Sequence, residues 1–179
     1  MSISLDSAFT LVRCQFEPHG QAILAIFNHA ILHTLSLYEY QPRSLHDIRL
    51  WFDFKAKAGF PVLGLVNDQG QLLGFASYGP FRPQAAFVHT IEHSIYMRPD
   101  QQGKGLGNIL LQAIIDEASR QQFHSMVAAI DSTNTASIAL HQKFGFQHTG
   151  TIHQAAYKFE HWLDLVFYQL LLPSAELAT

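Results

Sequence analysis

The stretch Met97-Arg98-Pro99-Asp100-Gln101-Gln102-Gly103-Lys104-Gly105-Leu106-Gly107 joins a segment with strand character to one with helical spacing. Upstream, Phe87 to Met97 is rich in β-branched and aromatic residues and predicts a long strand closed by Pro99. Downstream, Leu106, Ile109, Leu110, Ala113, Ile114 and Ala118 mark one face of a helix running to about Arg120. Between them, glycines at alternate positions let the backbone turn its N–H groups inward beside the positive end of the helix dipole. Such a loop is a cradle for a phosphate or pyrophosphate. A flexible strand-to-helix turn is the bland reading of the same residues. Other phosphate motifs do not fit: a Walker loop needs glycine where Arg98 stands and a hydroxyl residue where Gly105 stands, and the glycine spacing is not that of a Rossmann turn.

Outward from this loop the chain alternates strand and helix patterns. Phe9 to Phe16 predicts a first strand, and Gly20 to His33 a helix with Ile23, Ile26, Phe27, Ala30 and Ile31 on one face. Ser44 is a candidate N-cap with Asp47 completing a capping box, and Gly59 the stop of that second helix. Pro61 to Val66 and Gln71 to Tyr78 flank Asn67-Asp68-Gln69-Gly70 and predict an antiparallel hairpin. Past the glycine loop, Met126 to Ile130 reads as a buried parallel strand, and Asp131 to Asn134 can cap a helix that ends near Phe144 at Gly145. Phe146 to Tyr157 and Trp162 to Leu171 predict two closing strands. The order implies an α/β fold built on a mixed sheet.

With 179 residues, 48% of them hydrophobic and 14% charged, the chain has enough apolar surface for one domain, expected over residues 1–173, with a tail at 174–179. Eleven basic against 14 acidic residues give a net charge of −3, too little positive field for nucleic acid to be a partner. The single cysteine, Cys14, makes an internal disulfide impossible and suits a reducing compartment. Met1 to Thr10 lacks a basic-then-apolar leader, and Ala22 to Tyr38, the most apolar stretch, is broken by Asn28, His29, His33 and Thr34. A soluble cytoplasmic protein without a membrane partner is expected.

The glycine loop, read as Gln102-x-x-Gly105-x-Gly107, resembles the Q/R-x-x-G-x-G/A pyrophosphate loop of the GNAT N-acetyltransferases, and Asn134 to Phe146 resembles their second coenzyme segment. His89-Thr90-Ile91-Glu92-His93-Ser94, Met126 to Ile130, Ser137 to His141 and Trp162-Leu163-Asp164-Leu165 narrow the resemblance to the phosphinothricin and methionine sulfoximine acetyltransferases, over about Gly20 to Leu171. It implies a single-domain acyl-CoA N-acyltransferase fold, a mixed, mostly antiparallel sheet with helices on both faces, whose splayed strands admit the pantetheine arm of acetyl-CoA as an added strand. By resemblance, the main chain of Ile95, Tyr96 and Met97 pairs with that arm, and an amide near Met97 is the oxyanion donor. Gly103, Lys104, Gly105, Leu106, Gly107 and Asn108 bind the pyrophosphate, and Asn134 contacts the arm. A homodimer is implied as well.

An amine acceptor is protonated at neutral pH, so attack requires a base. Glu92 sits mid-strand on one face with Thr90, Ser94 and Tyr96, a costly place for a carboxylate unless it is paired or functional. A general base and a structural hydrogen-bonding carboxylate both fit that position, and the resemblance implies the former. It likewise implies His141 as acid or stabiliser for the coenzyme thiolate, against a merely packed histidine. Arg82 is a candidate clamp for an amino acid carboxylate, against a solvated loop arginine, and the resemblance adds Pro83, Gln84 and Glu92 as substrate contacts. The chain departs from its relatives over Gln84 to Val88. His89-x-x-Glu92-His93 spells an inverted zinc-protease signature, but on a strand its histidines lie about 13 Å apart, so no metal is expected. The reading is direct acetyl transfer from acetyl-CoA to the α-amine of phosphinothricin, methionine sulfoximine or methionine sulfone, with Cys14 unassigned. The competitors are acetylation of a peptide N-terminus or polyamine, and a coenzyme-A-binding module without turnover.

Overall fold

Helix α1, Phe16–His33, begins four residues before the expected Gly20. Its N-cap, Gln15, makes no side-chain capping bond; His19 Nδ1 accepts from the Gln15 N–H at 3.1 Å instead, and Pro18 occupies the first turn, where its missing N–H costs nothing. Helix α2, Leu45–Ala58, starts as its sequence demands. The Ser44 Oγ accepts from the Asp47 N–H at 3.2 Å, the Asp47 carboxylate accepts from the Ser44 N–H at 2.7 Å, and Gly59 closes the helix at φ 72°. Helix α3, Leu106–Arg120, and α4, Thr135–Lys143, follow the glycine loop and Asn134 as expected.

The computed structural model describes residues 4–5 and 9–173, so the expected tail at 174–179 lies outside the described residues. Eight strands, β1 (Ser4–Leu5), β2 (Phe9–Arg13), β3 (Val62–Asn67), β4 (Leu72–Pro80), β5 (Thr90–Met97), β6 (Ser125–Asp131), β7 (Gln147–Lys158) and β8 (His161–Leu171), form one sheet in the order β1-β2-β3-β4-β5-β6-β8-β7. Every neighbouring pair is antiparallel except β5 and β6. Helices cover both faces. Ile23, Phe27, Ile48 and Phe52 of α1 and α2 bury Phe75 on one side; Leu110, Leu111 and Ile114 of α3 bury Met126 and Ile130 on the other. Each such side chain contributes about 1.5–3 kcal/mol by leaving water.

The strand expected from Phe87 begins only at Thr90. Residues Ala85–Phe87 form a 3-10 turn in which the Phe87 and Val88 N–H groups donate to Gln84 and Ala85 carbonyls, spending donors a ladder would use. Phe87 and Val88 are apolar but exposed, which is why they imitate a strand in the sequence.

Two buried lysines donate to backbone carbonyls, one of the sheet and one set at a helix end. One step beyond the β3–β4 register, Pro61 stands opposite Tyr78 and has no N–H to give; Lys55 Nζ of α2 donates to the Tyr78 carbonyl at 2.6 Å. Burial holds the Lys55 ammonium down to about 8. At the far end of β7, Lys158 Nζ donates to the carbonyls of Ile31 at 2.7 Å, Thr34 at 2.9 Å and Leu37, capping the C-terminus of α1 and the connection that follows. The same connection is pinned by Tyr38, whose hydroxyl donates to Asp131 at 2.8 Å, and by Tyr40, which donates to the Tyr157 carbonyl. No described helix is long and apolar enough to cross a membrane.

Candidate active site

The β5–β6 ladder pairs Thr90 with Ser125, Ile91 with Met126 and Glu92 with Val127, and there it stops. Strand β5 stays bonded to β4 to its end. The Phe81-to-Thr90 bond fixes the alternation, so Ser94 and Tyr96 exchange main-chain bonds with Ser77 and Phe75, while the main-chain groups of Ile95 and Met97 turn toward β6 and meet no strand. Tyr96, grouped by resemblance with these two, spends its main chain on β4 and packs its ring against Phe27 and Phe75. The gap opens into a cleft of about 730 Å³, walled by β5, β6, the end of α1 and the starts of α3 and α4.

One end of the cleft is the glycine loop. Gly103 and Gly105 adopt φ 72° and 79°, a region a side chain strains to enter, and Gly105 is the N-cap that sets the first amides of α3 free of intrahelical partners. A Cβ on Gly107 would sit 3.4 Å from Leu140, so its absence lets α3 and α4 meet beside the loop. Gly103, Gly105, Leu106, Gly107 and Asn134 all reach the cleft wall. Asn134 Oδ1 also caps α4 by accepting from the Ser137 N–H at 3.1 Å. The side chains of Lys104 and Asn108 are not on that wall: Lys104 donates to Gln101, and Asn108 ties the Gly105 carbonyl to Lys143.

Glu92 marks the last rung before the strands part. It lies half-buried on the face shared with Tyr96, opposite Gly79 in the β4 register, where no cross-strand side chain crowds it. Burial raises its carboxyl above the usual carboxylate range, and the charge of Arg82 partly opposes that rise. Arg82 donates to its neighbour's carbonyl, Phe81 O, at 2.8 Å and stacks on the Phe81 ring, on an exposed connection that also carries Pro83 and Gln84. The opposite side of the strand carries His93, which contacts His141 of α4 through Nε2 at 3.1 Å. His141 Nδ1 donates to the Ser137 carbonyl at 2.7 Å. Both histidines are buried on the cleft wall.

The sequence reading weighs His93 only within the zinc-like signature and assigns it no catalytic part, since its partner is 48 residues away; alternation gives only that it turns from Glu92. Asp131 was a candidate cap, and its buried carboxylate also holds Tyr38 beside the cleft. The residues of the zinc-like signature diverge: His89 precedes β5, Glu92 faces one helix layer and His93 the other. Among the described residues no three His, Cys, Asp or Glu side chains group as a metal site would require.

A strand gap with unspent main-chain groups and an amide-rich helix start at one end can hold an extended arm with a diphosphate; Glu92, on the last rung beside the gap, is not itself on the cleft wall. The model of the Acetyltransferase (GNAT) family matches residues 26–146. The L-methionine sulfoximine/L-methionine sulfone acetyltransferase of Pseudomonas aeruginosa is 49% identical over 150 residues, covering 84% of this chain and 87% of that protein. The phosphinothricin N-acetyltransferase of Alcaligenes faecalis is 34% identical over 170 residues, covering 94% and 86%. An acetyltransferase structure from Salmonella typhimurium, solved with its cofactor acetyl-CoA, superposes with a TM-score of 0.90 at 40% identity over 94% of this chain and 96% of that one.

Proposed function

Because the chain belongs to the GNAT acetyltransferase family, we propose that it transfers the acetyl group of acetyl-CoA to the α-amine of a small amino acid analogue of the methionine sulfoximine, methionine sulfone or phosphinothricin type. The observation that supports this reading is the parting of β5 and β6 immediately after Glu92, a half-buried residue whose carboxyl burial holds above the usual carboxylate range. The main-chain groups of Ile95 and Met97 receive the pantetheine arm, the Gly103 to Gly107 backbone takes the pyrophosphate, and Asn134 contacts the arm from α4. The Met97 amide polarises the thioester carbonyl. Glu92 removes the ammonium proton, directly or through a water, the free amine attacks the carbonyl carbon, the carbon–sulfur bond breaks to release the thiolate on the side of His141, and the nitrogen's second proton passes to that thiolate or to solvent, leaving the neutral amide. Arg82 pairs with the acceptor carboxylate, which favours an amino acid over a polyamine.

A screen for thiol release with acetyl-CoA and amino acids, sulfones, sulfoximines and phosphinates tests the assignment. Glu92→Gln should lower kcat by about 10²–10⁴-fold with coenzyme affinity nearly unchanged; an unaltered rate removes Glu92 from the mechanism. The enzyme acts as a detoxifying, resistance-type acetyltransferase in the cytoplasm, where its lone thiol persists reduced. It works as a homodimer: Tyr157, Phe159 and Trp162 at the tip of the β7–β8 hairpin are each about half exposed, an apolar patch a second copy of the chain covers. Sedimentation should give twice the chain mass, falling to the monomer in Trp162→Glu; a wild-type monomer refutes it.

A further inference from the structure

Given the acetyl-transfer reading, what holds the leaving-group side of the site is the contact between its two buried histidines. The Ser137 carbonyl can only accept, so His141 Nδ1 carries a hydrogen and Nε2 of the neutral ring is a lone pair. That lone pair faces His93 Nε2 at 3.1 Å, and only a hydrogen on His93 Nε2 makes the contact a bond rather than a repulsion. His93 Nδ1 is then an acceptor, buried and without a partner among the described residues. The reverse tautomers fail at both ends: they set a lone pair against the Ser137 carbonyl and bury an unpaired N–H. Phe146 walls both rings, 5.5 Å from His93 and 5.1 Å from His141. His93 is the first residue of β5 beyond the last β5–β6 rung, so the bond ties the released arm of the strand to α4.

We propose that His93 is a positioning residue for acyl transfer: its Nε2–H, donated into His141 Nε2, fixes the tautomer and ring plane of His141 and sets the distance between the free arm of β5 and α4. Both nitrogens of His141 are engaged in this state, so the ring meets the departing sulfur neutral, and the pair transfers no proton. Burial and the neighbouring ring hold His93 well below the ordinary histidine range; burial also lowers His141, against the opposing pull of the Ser137 carbonyl. The pair also meets the Ser137 hydroxyl of α4, 3.4 Å from His141 Nδ1, and the uncharged ring of Phe146.

Imidazole nitrogen NMR on the coenzyme-free protein, from about pH 5.5 to about pH 8, reads the tautomers without reference to turnover. The expected result is His141 protonated at Nδ1, His93 protonated at Nε2, and neither ring titrating. His141 protonated at Nε2, or titrating near the ordinary histidine value, overturns the proposal even if no variant folds. In His93→Leu, His141 should begin to titrate and kcat should fall by about 10²-fold with the KM for acetyl-CoA little changed. His93→Gln, whose amide can donate in the same place, should restore the non-titrating ring and most of kcat. A folded His93→Leu with wild-type kcat and an unchanged His141 spectrum overturns it as well. Absence of acetyl transfer in the wild type with locked tautomers refutes the enzymatic reading and, with it, the catalytic purpose given to the bond.

Discussion

Glu92 shows how one position is read from both sides of the sheet. Its burial raises the carboxyl and Arg82 lowers it, so the two set where the proposed base becomes competent. A general base works only when deprotonated, and activity should therefore fall as pH drops through the raised value. Removing the opposing charge in Arg82→Ala should raise that value further and move the acid limb of kcat/KM to higher pH, measured as a pH–rate profile with a carboxamide acceptor in place of the carboxylate so that the proposed clamp is not at issue. A limb that stays in place means Arg82 does not act on Glu92. Alternation alone placed Glu92 and Tyr96 together and His93 opposite, because a strand's side chains have a fixed period. What alternation could not supply was what stands beside those side chains: Arg82 acts on Glu92 from the β4–β5 connection, and His141 reaches His93 from α4.

At the level of elements, the ends set by local chemistry were legible and those set by tertiary context were not. The Ser44–Asp47 box and the Gly59 stop need nothing beyond their own few residues. The start of α1 was missed because a histidine four residues on, rather than a capping side chain at Gln15, satisfies the exposed amide. The start of β5 was missed because apolar Phe87 and Val88 are exposed in a 3-10 turn. Lys55 belongs to this level, since it joins α2 to β4 at the rung Pro61 cannot fill. Its depressed value, about 8 against 10.5 for the free group, means the cationic form is disfavoured in the fold. Below pH 8 folded and unfolded chains are both protonated and the penalty is fully present; between there and the unfolded value the folded chain releases its proton first. The stability of the wild type relative to Lys55→Met should thus rise with pH across that alkaline interval, by roughly 3 kcal/mol at most. Denaturant titrations of both proteins at matched pH read the difference; a flat difference would mean the ammonium is not desolvated.

Across the whole molecule, the succession of strand and helix patterns implied an α/β fold on a mixed sheet, and the resemblance carried by the glycine loop together with the segments on either side of it implied the particular architecture. The route by which the first half of the chain is finished was not visible there. Lys158 serves carbonyls that precede it by 127, 124 and 121 positions, and the connection it closes includes Thr34, which lines the cleft. During synthesis the amino-terminal half leaves the ribosome first, so α1 waits for its last donor until the final hairpin emerges. A product that stops short of Lys158 lacks the donor that these three carbonyls share, and the wall of the cleft at Thr34 is left unclasped. Full-length Lys158→Met should be cleaved faster than the wild type between residues 34 and 44; equal rates would show that this late clasp is dispensable.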